Sequence, residues 1–319
     1  GPARLAAAAA VLAVVAVSCG GSSGSSSRPS AAPAVTDTVR EVSPQRFDGP
    51  GPYKVGVTTL NLGDRSAEVY YPADPAAVAG KPTYSYSTTD VFPEAMRSFI
   101  PQLMVGTFDT GAVRDATALP GKAFPVVIYS HGFGGFRNVA SFYTAHLASW
   151  GFIVATTDHL ERGIVAQATG QIGKAGTSPD HDLKDVADTI ARLRTENTKS
   201  GGLLDGRIDL AHIGITGHSA GAQTAVRAAA AQAEITAFIS ISGGIGLSPL
   251  GDLPRKPGLV IAAKNDSVVA ASMSRTLYDQ LGSPKFFVEI DNAGHNSFTD
   301  SCPLILQRGG LEPLRPLLG

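Results

Sequence analysis

Apolar residues in the second half of the chain fall into short continuous runs separated by amphipathic or alanine-rich stretches. The runs are Pro125–Ser130 (PVVIYS), Phe152–Thr157, His212–Thr216, Ile235–Ile241, Gly258–Ala263 and Lys285–Ile290. Each reads as a strand, and the unbroken run Pro125–Ser130 is what a strand buried on both faces requires. Between them lie helical patterns. One follows the first run and reaches Ser149. One starts at Asp182 as its cap and brings Leu183, Val186, Ile190 and Leu193 onto one face. One is alanine-rich, 220–232, and one spans about 271–281. Strand–helix alternation predicts a mainly parallel central sheet with helices on both faces, an α/β fold. Ahead of it, Lys54–Leu60 and Ser66–Tyr71 alternate around Asn-Leu-Gly-Asp and predict an N-terminal antiparallel pair. Residues 73–122 lie between the two regions. They carry helical hints over Pro93–Met104 and apolar side chains (Phe92, Met96, Phe99, Ile100, Phe108) that could roof a pocket or pack ordinarily.

The first 45 residues follow another pattern. Arg4 precedes an apolar run, Leu5–Val17, too short to span a bilayer and suited to a signal peptide over 1–18. Ala16-Val17-Ser18-Cys19 resembles a bacterial lipobox, which implies lipidation at Cys19 and a membrane anchor; a plain cleaved signal is the alternative. Either way the protein is expected outside the cytoplasm, on the cell surface or secreted. Residues 19–45 are rich in Gly, Ser, Ala and Pro and cannot bury enough surface to offset their conformational entropy, so a flexible tether is expected. The folded domain is then 46–319.

Composition narrows the field. Hydrophobic residues make up 43% and charged ones 17%, enough for a large core. A net charge of −1 without a basic cluster argues against nucleic-acid binding.

The chemistry enters at Gly217-His218-Ser219-Ala220-Gly221. In a chain with 36 glycines such a pattern can arise by chance, and Gly20–Gly24 repeats it inside the tether. Context separates the two. Ser219 follows a buried strand and precedes an alanine-rich helix. Gly217 and Gly221 let strand and helix approach, and the hydroxyl projects at the top of the sheet. A serine hydroxyl needs a base, and the base an orienting carboxylate. On such a scaffold acid and histidine follow the nucleophile in that order. Of seven histidines only His295 lies after Ser219. Between them stand Glu234, Asp252, Asp266, Asp279, Glu289 and Asp291. Asp266 follows the end of a strand, where catalytic groups of open sheets gather, and is preferred; Asp291 is the rival. The oxyanion hole is expected from the backbone N–H groups of Phe133 and Ala220. His131 precedes Ser219 and reads as a structural hydrogen-bonder. Neither metal nor cofactor is required.

With these residues in place the chain resembles the α/β-hydrolase superfamily. Residues 124–163, FPVVIYSHGFGGFRNVASFYTAHLASWGFIVATTDHLERG, look like the matching stretch of secreted platelet-activating-factor acetylhydrolases, as do GHSAG and GHNSFTD. The spacing of Ser219, Asp266 and His295 is closer to cutinase-like polyester hydrolases and dienelactone hydrolases. The resemblance covers about residues 50–300. It departs at Ser242-Gly243-Gly244, where the acetylhydrolase acid would stand, and in its single tryptophan, Trp150, which lies away from the loop that stacks aromatic substrate in polyester hydrolases. It implies a serine ester hydrolase acting on small or lipid esters through an acyl-enzyme. Polyester hydrolysis, acyl transfer and a non-catalytic surface-binding lipoprotein are the alternatives. Members of this fold usually close with a helix after the histidine loop. The Gly- and Pro-broken QRGGLEPLRPLLG therefore suggests a longer natural chain, with Cys302 either paired to a later cysteine or buried as a free thiol.

Overall fold

The computed structural model describes residues 47–100, 102, 105–171, 179–246 and 250–307. The expected signal segment, the tether and Cys19 lie outside the described residues. Strands β1 (Lys54–Asn61) and β2 (Ser66–Ala73) form the expected antiparallel pair. The next region holds two single-turn helices, α1 (Pro75–Val78) and α2 (Glu94–Arg97), a small sheet of β3 (Ser85–Ser87) and β4 (Thr107–Asp109), and the short strand β5 (Val113–Arg114). The alternating part follows: β6 (Phe124–Ser130), α3 (Ser141–Ser149), β7 (Ile153–Thr157), α4 (Ile164–Ala168), α5 (Pro179–Thr198), β8 (Ile208–His218), α6 (Ala220–Ala231), β9 (Ile235–Ile241), β10 (Gly258–Ala263), α7 (Ala271–Gln280) and β11 (Lys285–Ile290). A 3-10 turn, His295–Phe298, and α8 (Ser301–Gln307) complete the described chain.

The main sheet has nine strands in the order β11-β10-β9-β8-β6-β7-β2-β1-β5. β6 through β11 pair in parallel, and β2 joins β7 antiparallel. The chain steps from β6 to β7 on one side and then crosses back to β8 on the other. The carboxyl ends of β6 and β8 therefore face the topological switch point, where open α/β sheets bind ligands.

Alternation along β6 feeds two cores, one on each face of the sheet. Val126 and Ile128 pack with Val186, Ile190 and Leu193 of α5, Val226 of α6 and Ile213 and Ile215 of β8. Tyr129 faces the other way, with Val57, Tyr70, Val154, Phe136 and the β3–β4 residues Tyr86 and Phe108. Tyr86 stacks on Phe108 at 5.3 Å and meets the edge of Phe136 at 5.9 Å. The 73–122 region is thus joined to the second core through Tyr86 and Phe108, and Phe92 is also buried, whereas Phe99 is exposed.

Three expectations need correction. The helix expected over Pro93–Met104 shortens to Glu94–Arg97: Pro93 offers no side-chain cap, and Pro101 lacks the N–H that a continuing helix needs. Asp182 does not cap α5. The helix begins at Pro179, and Asp182 sits in its first turn, paired with Arg162. β8 starts at Ile208 rather than at residue 212, because Ile208 and Asp209 pair with Phe124 and Pro125 before a register shift. Trp150 is structural, as expected: its Nε1–H donates to Gly49 O (3.2 Å) and its ring meets Phe47. Cys302 is buried and disulfide-bonded, its partner lying outside the described residues. Among the described residues no helix is long and apolar enough to cross a membrane.

Leu193 is fully buried between α5 and the sheet. Leu193→Ala is expected to cost about 2–5 kcal/mol in urea denaturation, while Thr195→Ala, on the exposed side of the same helix, stays within about 0.5 kcal/mol.

Candidate active site

β8 ends at His218 and α6 begins at Ala220, leaving a single residue, Ser219, to turn the chain. Its backbone sits at φ 57°, ψ −120°, a conformation that costs a non-glycine residue on the order of 1–3 kcal/mol and is held only by its surroundings. Ser219 N–H donates to Ile241 O at 2.9 Å. The neighbouring glycines are required by distance. A Cβ on Gly217 would lie 2.1 Å from Gly221 O, and one on Gly221 would lie 2.0 Å from Ser130 O. A Cβ on Gly132 would lie 3.0 Å from the Ser219 Cβ. The elbow, the end of β6 and the loop after it are therefore in backbone contact.

His295 Nε2 lies 2.8 Å from Ser219 Oγ, and His295 Nδ1 lies 2.8 Å from Asp266 Oδ2. A carboxylate can only accept, so Nδ1 carries the proton and Nε2 is free to accept from the serine hydroxyl. Asp266 Oδ1 accepts from Val268 N–H (2.9 Å) and Val269 N–H (2.7 Å). Burial alone pushes the Asp266 carboxyl up, but His295 and these two amides outweigh it and hold it below the ordinary carboxylate range. The loop after β10 is pinned to the histidine loop by Asn265 N–H on Ala293 O (2.9 Å). The rival acid, Asp291, instead pairs with Lys264 (2.7 Å) and is largely exposed. Glu234 pairs with Arg194. Ser242, at the alternative acid position, is a buried hydroxyl at φ 46°.

Ala220 follows the serine in the chain, and Phe133 follows Gly132, where an added Cβ would lie 3.0 Å from Ser219 Cβ. Neither backbone N–H donates a hydrogen bond among the described residues. The Phe133 ring is half exposed. Around it the 131–135 loop is braced from the segment after β7. Gly134 N–H donates to Arg162 O (2.7 Å) and Ile164 N–H to Gly135 O (3.0 Å). The buried Arg162 guanidinium donates to Ser130 Oγ and His131 O, both at 2.8 Å. His131 donates from Nδ1 to Gly132 O (2.8 Å) and accepts at Nε2 from His159 N–H (3.0 Å). Burial and Arg162 lower its pKa to about 4, so it is neutral and structural.

Two features escaped sequence reasoning. His218 donates from Nε2 to the His295 carbonyl (2.7 Å) and lies ring against ring at 4.7 Å. Burial, then His295, lower its pKa to about 3. The second feature is an imitation of the serine constellation. Ser130 Oγ lies 2.8 Å from His159 Nε2, and His159 Nδ1 lies 2.7 Å from Asp185. All three are buried, so the hydroxyl meets no solvent. His159, Asp182 and Asp185 also converge closely enough to suggest a metal site. Two guanidinium groups already occupy it: Arg162 pairs with Asp182 and Arg65 with Asp185.

Comparison with known proteins adds family context. The profile of the family described as platelet-activating factor acetylhydrolase, isoform II, matches residues 42–199. That span holds β1 through α5 and the 131–135 loop and stops short of Ser219. A platelet-activating factor acetylhydrolase of Cavia porcellus is 27% identical over 161 residues, 47% of this chain and 36% of the relative. That of Gallus gallus is 30% identical over 147 residues, 42% of this chain and 34% of the relative. A bis(hydroxyethyl) terephthalate hydrolase of Streptomyces coelicolor is 25% identical over 201 residues, 62% of this chain and 59% of the relative. The chain thus spans about a third of the length of these acetylhydrolases. The sheet order and the elbow are those of the α/β-hydrolase fold, and the matches make the chain similar to platelet-activating factor acetylhydrolases and to a terephthalate-ester hydrolase.

Gly221→Ala would drive a methyl into the Ser130 carbonyl and is expected to cost about 3 kcal/mol or more in thermal or urea unfolding. Gly214→Ala, on the preceding strand β8 with its nearest neighbour 3.7 Å away, is tolerated. His218 yields a pH prediction. The unfolded imidazole takes a proton below about pH 6.5 and the folded one does not, so acid favours the unfolded chain. Between about pH 6.5 and 4 the wild type should lose about 1.4 kcal/mol per pH unit relative to His218→Gln. Urea midpoints at pH 7 and 5 read the difference.

Proposed function

We propose that this protein is a carboxylic ester hydrolase with Ser219 as nucleophile, His295 as general base and acid, and Asp266 as the group that fixes the imidazole. One observation carries the reading: the unbroken line of contacts from Asp266 through His295 to Ser219 Oγ, each 2.8 Å. As Oγ bonds to the acyl carbon, its proton passes to His295 Nε2 and the carbonyl π pair moves onto oxygen. The oxyanion is held by the N–H groups of Phe133 and Ala220. One such donor contributes about 2.7–4 kcal/mol of transition-state stabilisation. Collapse breaks the bond to the leaving oxygen, which takes the proton from Nε2 and departs as alcohol. Water then attacks the acyl-enzyme, His295 again takes the proton and returns it to Oγ, and the acid is released. The chemistry needs only these side chains and backbone amides.

Two substrate classes follow from the relatives: short-acyl phospholipid esters, and terephthalate-type esters. The first is favoured by the family match, which includes the 131–135 loop. The second has support in the longer alignment with the terephthalate hydrolase and in the half-exposed Phe133 ring on the loop whose Gly132 adjoins the serine. Export is part of the same reading, since a disulfide at Cys302 fits an oxidising compartment.

Hydrolysis of a p-nitrophenyl ester series from acetate to decanoate tests the assignment. Ser219→Ala and His295→Ala are expected to lose at least about 10⁴-fold in kcat, and Asp266→Asn on the order of 10³–10⁴-fold. Undiminished turnover by folded Ser219→Ala would overturn it. Bis(hydroxyethyl) terephthalate and a 2-acetyl glycerophospholipid, compared under the same conditions, separate the two substrate classes by kcat/KM.

A further inference from the structure

Asp300 lies at the end of the loop that carries His295, yet its side chain serves a distant helix. It is buried, and one carboxylate oxygen, Oδ2, accepts three hydrogen bonds: Ser141 N–H at 3.0 Å, Ser141 Oγ–H at 2.7 Å and Tyr86 O–H at 2.6 Å. The Phe142 N–H also faces this carboxylate. In return Asp300 N–H donates to Val139 O at 2.7 Å. Ser141 and Phe142 are the first residues of α3, and the preceding residue, Ala140, makes no side-chain cap. A helix start leaves unpaired N–H groups and a positive dipole end. Here both are met by a carboxylate 159 positions further along the chain.

The connection has a direction. α3 is the continuation of the 131–140 segment, which holds Phe133, and Asp300 is the continuation of the 3-10 turn that holds His295. Ala140 makes no side-chain cap, so the helix start and the histidine loop are fixed to each other by the Asp300 side chain together with its N–H on Val139 O. Tyr86 adds the β3–β4 sheet to the same oxygen.

We propose that Asp300 is a positioning residue for ester hydrolysis: by capping α3 from the histidine loop, it sets the place of His295 Nε2 relative to the Phe133 N–H. The proposal rests on the reading of His295 as the base and Phe133 as an oxyanion donor. It predicts an effect on turnover beyond that on stability, because a displacement of about 1 Å between reacting groups costs on the order of 100-fold in rate. It also predicts that the acceptor matters and the charge does not, since an amide oxygen can take the same donors.

The test measures kcat and KM on p-nitrophenyl acetate for Asp300→Ala, Asp300→Asn and the double variant Ser141→Ala/Tyr86→Phe, with Ser219→Ala alongside. The assay temperature lies well below every melting transition. Asp300→Ala is expected to lose about 10- to 100-fold in kcat with KM within twofold. Asp300→Asn should stay within threefold of wild type, and inactivation by a fluorophosphonate should slow in parallel with kcat. If Asp300→Ala does not fold, the double variant, which keeps the carboxylate but removes two of its donors, should still lose at least fivefold in kcat. Wild-type kcat in folded Asp300→Ala, or in the double variant when the former does not fold, overturns the proposal. So does an equal loss in Asp300→Asn and Asp300→Ala. Turnover surviving in Ser219→Ala would instead overturn the serine mechanism itself, so the two failures are separable.

Discussion

The approach of three backbone segments at the carboxyl end of β6 governs the rest of this structure. Gly221 stands where any side chain would meet the Ser130 carbonyl, Gly217 where one would meet Gly221, and Gly132 where one would crowd Ser219. That closeness lets α6 start one residue after β8 and forces Ser219 into its unusual backbone conformation. The hydroxyl makes no cap bond to the helix and meets His295 Nε2 instead. Substituting any of these glycines moves Ser219, the helix start and the 131–135 loop together, because they share the same contacts.

Burial and hydrogen bonding set the polar groups around this point apart from one another. His131, His159 and His218 are all enclosed, and desolvation holds each in the neutral form. They act as fixed hydrogen-bonding brackets: His131 on Gly132, His159 on Ser130, His218 on the carbonyl of His295 itself. His295 differs in having the serine on one nitrogen and an ionised carboxylate on the other. The contrast between Asp266 and Asp185 follows the same logic. Both face a histidine Nδ1, but Asp266 also accepts two backbone amides, which keep it ionised. Asp185 has its pKa raised to about 7, with burial outweighing Arg65.

Much of this was legible in the sequence, for identifiable reasons. The runs 235–241 and 258–263 match β9 and β10 residue for residue, because strands inside a covered parallel sheet are apolar and end where polarity returns; 285–290 also matches β11, but as an edge strand that leaves Phe286, Val288 and Ile290 exposed. Ser219, Asp266 and His295 were found by chain order and strand ends, constraints that act along the sequence. What stayed hidden depends on contacts between segments far apart in the chain. Nothing near Ala140 signals that its helix is capped from Asp300. Nothing near Arg162 signals that its guanidinium reaches Ser130 and its carbonyl reaches Gly134. The start of α5 was misplaced because Asp182 has the composition of a cap while its side chain is drawn to Arg162. The Pro93–Met104 region shows the opposite error, helical composition without the capping that sustains more than one turn.

The most direct test of the central claim is chemical. Incubation of the protein with a fluorophosphonate, followed by proteolysis and peptide mass spectrometry, reports which hydroxyl has been activated. The account predicts a single stoichiometric adduct on Ser219, formed in step with loss of esterase activity and absent in His295→Ala. An adduct on Ser130 or any other serine, or esterase activity that persists at full occupancy of Ser219, would contradict it.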